Sequence, residues 1–372
     1  MELAFGPQNG DAVSYLELGS ACATLGWPRC WDPLRPMGAV LLYSLPYRLK
    51  LPPESIIVLN WLLLLGSVAW TYRTVRLLQP GERWRRWPRL AAIVVGHLLF
   101  FWRPSWNALS DVPATVFALA AMQGLLLARV EDRWWRHLTT GLCLGASVWL
   151  RAFYLYPAMV TAVAFILASV RQPRQLLRRS AVLVMLLPIA LNFYETYRRT
   201  SLIGYIYPPV EALGRRMHFQ STLAGYDSAM GGPLRYEAKE CFGKSHTFED
   251  AVNKKDISAL ACVLTRRYAF YFGTYTVGGT VYIATAAERH KSAVLLIVNS
   301  LVLVAALARL GLRRRRPESL LVGLFVLTVV AESLFIVPES RYLYLVFVWM
   351  WCDLLCVLVD AAGSHLPVSS PN

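Results

Sequence analysis

Apolar residues in this chain fall into long blocks separated by short polar stretches. The blocks lie at 54–77, 89–102, 112–129, 138–150, 152–170, 180–196, 291–310, 319–336 and 342–360. Many approach the roughly 20 residues that an α-helix needs to cross a hydrocarbon layer. Runs such as "SAVLLIVNSLVLVAALARLGL" have no place on a soluble core of this size. The pattern predicts an all-α polytopic membrane protein in four regions. Residues 1–53 form an outer loop, 54–196 about six passes, 197–290 an outer soluble loop or lid, and 291–372 about three passes with a short tail.

The stretch 138–170 reads as one long helix or two short ones. Its flanks, "EDRWWRH" and "RQPRQLLRR", are both arginine-rich. A single pass would separate them, whereas two passes put both on one side. A break at Arg151 is therefore expected, helped by Pro157 in "LRAFYLYP". At about 1.5 Å per residue the first pass reaches only about 20 Å against a core of roughly 30 Å, so it is short, tilted or shielded.

Hydrophobic residues make up 56% of the chain and charged residues 16%. A formal charge of +15 invites a nucleic-acid reading, but its placement argues against one. The arginines gather in four short loops, "YRTVRLLQPGERWRRWPR", "RVEDRWWRH", "RQPRQLLRR" and "RLGLRRRRPES", and no recognition fold accompanies them. Short basic loops mark the cytoplasmic side, where they also meet anionic headgroups. The segments 1–53, "RPSWNALSD", the Arg151 break, 197–290 and "PESRY" then face the other side, a periplasm or its lumenal equivalent. Residues 1–53 hold four acids and four bases, so no charge excess opposes their crossing. The opening "MELAFGPQNG" lacks the basic and apolar parts of a cleavable signal.

Seven cysteines are present, and none has zinc-ligand spacing. Cys22, Cys30, Cys241 and Cys262 fall in non-membrane segments, where an oxidising compartment permits disulfides.

The unusual polar residues share the outer face: Asp11 with Tyr15, Arg35, Asp111, Arg151, and Glu339 with Arg341. Each has a plain reading. Asp111 caps the helix beginning "VPATVF", Arg151 snorkels to headgroups, Arg341 pairs with Glu339, and Tyr15, Tyr342 and Tyr344 join an interfacial aromatic belt. Their convergence suggests chemistry instead. Arginine forks suit phosphate oxygens, and a carboxylate beside them can take a proton from an attacking hydroxyl or amine. That combination describes group transfer from a lipid-phosphate donor. His290 and Lys291 in "AERHKSAV" stand at a helix entrance on the same face.

The chain resembles the GT-C integral-membrane glycosyltransferases, which include the aminoarabinose transferase and protein O-mannosyltransferase group. The resemblance covers most of the chain outside 200–285. "GDAVSYLELGSA" is similar to that family's acidic first outer loop with its amphipathic surface helix, and "RPMGAVLLYSLPYRL" to the loop's continuation. "LSDVPATVFALAAM", "GLCLGASVWLRAF" and "PESRYLYLVFVWMW" are similar to three later outer turns and helix ends. The resemblance implies a GT-C-like transmembrane helix bundle with surface helices in the first outer loop and one long outer loop. It implies transfer of a sugar from a polyprenyl-phosphate donor to a glycan, lipid or protein acceptor. Asp11 would be catalytic. Asp111, Arg341, Arg151, Tyr15, Arg35 and Tyr342 would bind the donor. No cofactor is assigned, although a divalent metal ion at Asp11 and Asp111 is compatible with the family. Two features depart from it: only ten residues precede Asp11, and the acid is single rather than an Asp-Glu pair.

Three functions compete. A lipid-phosphate-dependent glycosyltransferase needs the acids and the arginines. A transporter or flippase of lipid-linked sugars should carry midplane charges and an inverted repeat, and neither is visible. A non-catalytic membrane assembly subunit has no need of Asp11 and Asp111 together.

Overall fold

A computed structural model describes residues 2–3, 6–7, 10–26, 30, 37–78, 86–102, 104–107, 109–128, 130–170, 172–191, 194, 241, 253–276, 279–280, 286–312, 317–335 and 343–364. At a few positions inside these elements, Asp11 among them, only the backbone is described. The described chain is helical apart from two hairpins of two-residue strands, Glu2–Leu3 with Gly6–Pro7 and Tyr275–Thr276 with Gly279–Thr280.

Two helices form where the first outer loop was expected, α1 (Gly10–Leu25) and α2 (Met37–Arg48). The next five are α3 (Ser55–Leu78), α4 (Arg86–Phe101), α5 (Asp111–Leu127), α6 (Trp134–Leu150) and α7 (Leu155–Leu167). A short α8 (Pro173–Arg179) runs on into a 3-10 stretch, Ser180–Met185. After the long polar segment come α9 (Ile257–Thr274), α10 (Ala286–Leu312), α11 (Pro317–Phe335) and α12 (Tyr344–Ser364).

Among the described residues, three helical stretches are long and apolar enough to cross a membrane: Ser55–Leu78, His290–Leu310 and Tyr344–Ala362. Their outward faces are greasy. Val58, Leu62 and Leu65 on α3, and Ile297, Leu301 and Val304 on α10, are exposed at helical spacing. Such apolar stripes suit lipid and not water. Helix α5 is buried nearly all round, as an element apolar on every face must be.

The break expected at Arg151 is present. Helix α6 stops at Leu150, Arg151 takes an extended conformation, and Ala152–Tyr154 form one 3-10 turn before α7. A straight helix is abandoned here, and the Arg151 side chain turns into the bundle instead.

Consecutive helices alternate in direction, which gathers their ends. Arg89 meets Asp360 at 2.7 Å, Arg136 meets Glu131 at 2.8 Å, His137 meets Asp132 at 2.8 Å, and Arg179 meets Glu318 at 3.0 Å, all at one end, here called lower. The arginine-rich loops thus share one end. There the Arg136 guanidinium holds the Glu131 carboxyl below its usual range. At the opposite, upper end lie the start of α5, the Arg151 turn and a cluster of Trp61, Trp102 and Trp106 packed edge to face.

Helix α9 falls within the segment expected to be a soluble lid, and it is not free-standing. Tyr271 and Phe272 are fully buried in the same core as the apolar helices. Asn299 of α10 donates to the Phe272 carbonyl at 2.8 Å, and the Tyr268 hydroxyl donates to Ser300 Oγ at 2.9 Å. The rest of 197–290 lies mostly outside the described residues.

Candidate functional site

The upper site begins with how α1 and α2 are seated. A Cβ at Gly19 would fall 2.6 Å from the Tyr43 carbonyl oxygen, so α1 and α2 touch backbone to backbone. A Cβ at Gly38 would fall 2.7 Å from the Trp149 carbonyl oxygen. Helix α2 therefore rests directly on the last turn of α6, two residues before Arg151. A disulfide between Cys22 and Cys30, and a hydrogen bond of 3.4 Å from Arg48 Nη2 to the Cys22 carbonyl, tie down the far end of α1. Cys241 and Cys262 form a second disulfide. The four cysteines expected to be able to pair do so, while Cys143, Cys352 and Cys356, all within helices, are free.

Beneath α1 and α2 lies a buried ion pair, Arg151 Nη1 with Asp111 Oδ1. The Asp111 side chain is 1% exposed and that of Arg151 12%. This corrects two readings. Asp111 is not the cap of α5: Ser110 holds that position, and Asp111 stands in the first turn, where the helix dipole favours a negative charge. Arg151 does not snorkel, because its guanidinium is turned inward onto Asp111.

Tyrosines surround the pair. The Tyr15 hydroxyl shares a hydrogen bond of 3.2 Å with Ser110 Oγ, and its ring meets Tyr43 edge-on at 5.5 Å. Tyr15 is buried, so it does not belong to an aromatic belt. Tyr43 is fully buried, and its hydroxyl has no hydrogen-bond partner among the described residues. Burial, helped by Tyr15 and Asp111 nearby, pushes its phenol well above the usual value, which keeps it a proton donor. The Tyr154 hydroxyl shares a 3.0 Å bond with Thr115 Oγ1 and feels the charges of Arg151, Asp111 and Glu332.

Of the residues expected from sequence, the structure brings together Tyr15, Asp111 and Arg151. The side chain of Asp11 lies outside the described residues, although its backbone belongs to the first turn of α1. Arg35, Arg341, Tyr342 and Glu339 also lie outside them. His290 and Lys291 are exposed at the start of α10. Ser110, Thr115, Tyr43, Tyr154 and Glu332 were not anticipated. Only Glu332 carried a signal, as an acid inside an apolar block, a situation that by default marks function.

A divalent ion does not fit the described part of the site. Asp111 already faces Arg151, and no three His, Cys, Asp or Glu side chains among the described residues converge to hold a metal. The described group instead offers a guanidinium for an anion, carboxylates for a proton, and phenols to hydrogen-bond a polar ligand.

No protein-family model, curated protein or solved structure matches this chain.

Proposed function

We propose that this protein is a multi-pass membrane glycosyltransferase of the GT-C type, moving a sugar from a polyprenyl-phosphate donor to a glycan, lipid or protein acceptor. The observation that carries the reading is the buried Asp111–Arg151 pair, roofed by α1 and α2 at the end away from the arginine-rich loops. A buried ionic group costs several kcal/mol per ion before compensation, roughly, and a fold with no use for it would fill the space with apolar side chains. Nine passes place the arginine loops inside and the site outside, in a bacterial inner membrane or an endoplasmic-reticulum equivalent. The Cys22–Cys30 and Cys241–Cys262 disulfides support an oxidising outer compartment.

In the proposed reaction the donor phosphate enters beside Arg151 and Arg341, competing with Asp111 for Arg151. Those guanidiniums neutralise the charge that develops on the leaving phosphate. Tyr15 and Tyr43 line the sugar side. Asp11, at the start of α1, takes the proton from the acceptor as the sugar–phosphate bond breaks. No step runs through a metal.

The test is transfer by the purified protein from a panel of polyprenyl-phosphate sugars, run beside Asp11→Asn. Loss of a general base is expected to slow turnover by about 10² to 10⁴ while donor binding holds. Transfer by Asp11→Asn at the wild-type rate removes the catalytic assignment. Absence of transfer from every donor by folded wild-type protein removes the enzyme.

A further inference from the structure

Helix α11 runs antiparallel to α7. At its lower end Glu318 pairs with Arg179, whose guanidinium lies over Phe165 near the end of α7. The climb from Glu318 to Glu332 is about 21 Å at the α-helical rise, close to the length of α7. Glu332 therefore stands level with the turn that carries Arg151 and Tyr154, and α11 packs against both α5 and α7. Its charge acts on the Tyr154 hydroxyl alongside those of Arg151 and Asp111.

The end of α11 is held from outside. The last carbonyls of an α-helix have no partner within it. Here Arg267 Nη1 of α9 donates to the Leu334 carbonyl at 2.9 Å, and the Tyr271 hydroxyl donates to the Ser333 carbonyl at 3.0 Å. Both side chains are buried. A guanidinium at this end also complements the helix dipole. The two bonds fix the turn from which Glu332 projects.

We propose that Glu332 joins Asp111 and Arg151 as the third charged residue of the upper site among the described residues. It sets, through Arg151, how tightly that site holds an anion, and Arg267 and Tyr271 are the positioning residues that keep it there. The Asp111 and Glu332 carboxylates then both act on the Arg151 guanidinium. A phosphate arriving at Arg151 is repelled by both, so removing the Glu332 charge strengthens anion binding. The proposal rests on the glycosyltransferase reading only for the identity of the anion.

The experiment measures binding of a short-chain polyprenyl phosphate to the full-length protein in detergent. Glu332→Gln, which keeps the shape, is expected to bind about tenfold tighter, the order of effect of one charge several ångströms away in a partly buried site. Glu332→Asp should return to wild-type affinity. Arg267→Gln should shift affinity in the same direction as Glu332→Gln, but less far. Unchanged or weaker binding by folded Glu332→Gln overturns the proposal, because a merely structural glutamate would not improve a ligand site on removal. A second measurement needs no ligand: unfolding midpoints of Glu332→Gln, Asp111→Asn and the double variant. Non-additive shifts are expected, and additive ones overturn the assignment. If wild-type protein binds no polyprenyl phosphate, the donor reading falls, and this cycle alone decides whether Glu332 belongs to the group.

Discussion

Removing one partner of the Asp111–Arg151 pair should be far more damaging than removing both. The Asp111 carboxylate is 1% exposed and the Arg151 side chain 12%, so neither charge can recruit bulk water if its partner disappears. Breaking a buried pair from one side costs about 3–5 kcal/mol, mostly the penalty of the stranded charge. Asp111→Ala also forfeits its interaction with the α5 dipole, about 0.3–1 kcal/mol. Arg151→Ala leaves the Asp111 carboxylate near Glu332, Tyr43 and Tyr154 without the guanidinium that faces it. The double variant removes both members of the pair and leaves the nearby Glu332 without the Arg151 guanidinium. Its loss is expected to fall at least about 3 kcal/mol short of the summed single losses. The assay is unfolding in mixed micelles titrated with a denaturing detergent and followed by tryptophan fluorescence. Additive losses would refute the argument, because they would mean that each charge is already solvated without the other.

Three further outcomes are expected. Arg341→Ala should slow transfer at subsaturating donor by the equivalent of about 2–4 kcal/mol, and wild-type kinetics would leave Arg341 outside the site. Gly38→Ala should destabilise the protein by about 1–3 kcal/mol, since its new methyl meets the Trp149 carbonyl at 2.7 Å and α2 must lift from α6; an unchanged unfolding midpoint would contradict the seating of α2. Without reductant, alkylation of the unfolded chain should reach only Cys143, Cys352 and Cys356. Cys22→Ser should cost about 2–3 kcal/mol, the chain-entropy value for so short a loop.

The sequence by itself determined where the helices lie and which loops gather together. Block length and apolar content are properties of a local window, so α3 to α7 and α10 to α12 fall close to the expected passes. The break at Arg151 was legible for the same reason: two basic flanks, too short a pass and a nearby proline all act within about thirty residues. The grouping of Asp111, Arg151 and Tyr15 at one end also followed, because alternating helices return their ends to alternate sides. What those residues do to one another was decided only by the tertiary structure. Asp111 opens α5 and Arg151 follows the end of α6, and only the packing of those two helices turns the side chains together rather than toward lipid or phosphate. Tyr43 becomes a buried hydroxyl because Gly19 and Gly38 let α2 sit between α1 and α6, a contact with no local signature. Cysteine spacing did not determine which partners would join. Helix α9 reads as part of a soluble loop because mixed charge and turn signals such as "MGGPLRYEAKECFGKSHTFEDAVNKKD" precede it. It packs into the core because Val263, Tyr271 and Phe272 bury there, and Arg267 meets an orphan helix-end carbonyl more than sixty residues further along the chain.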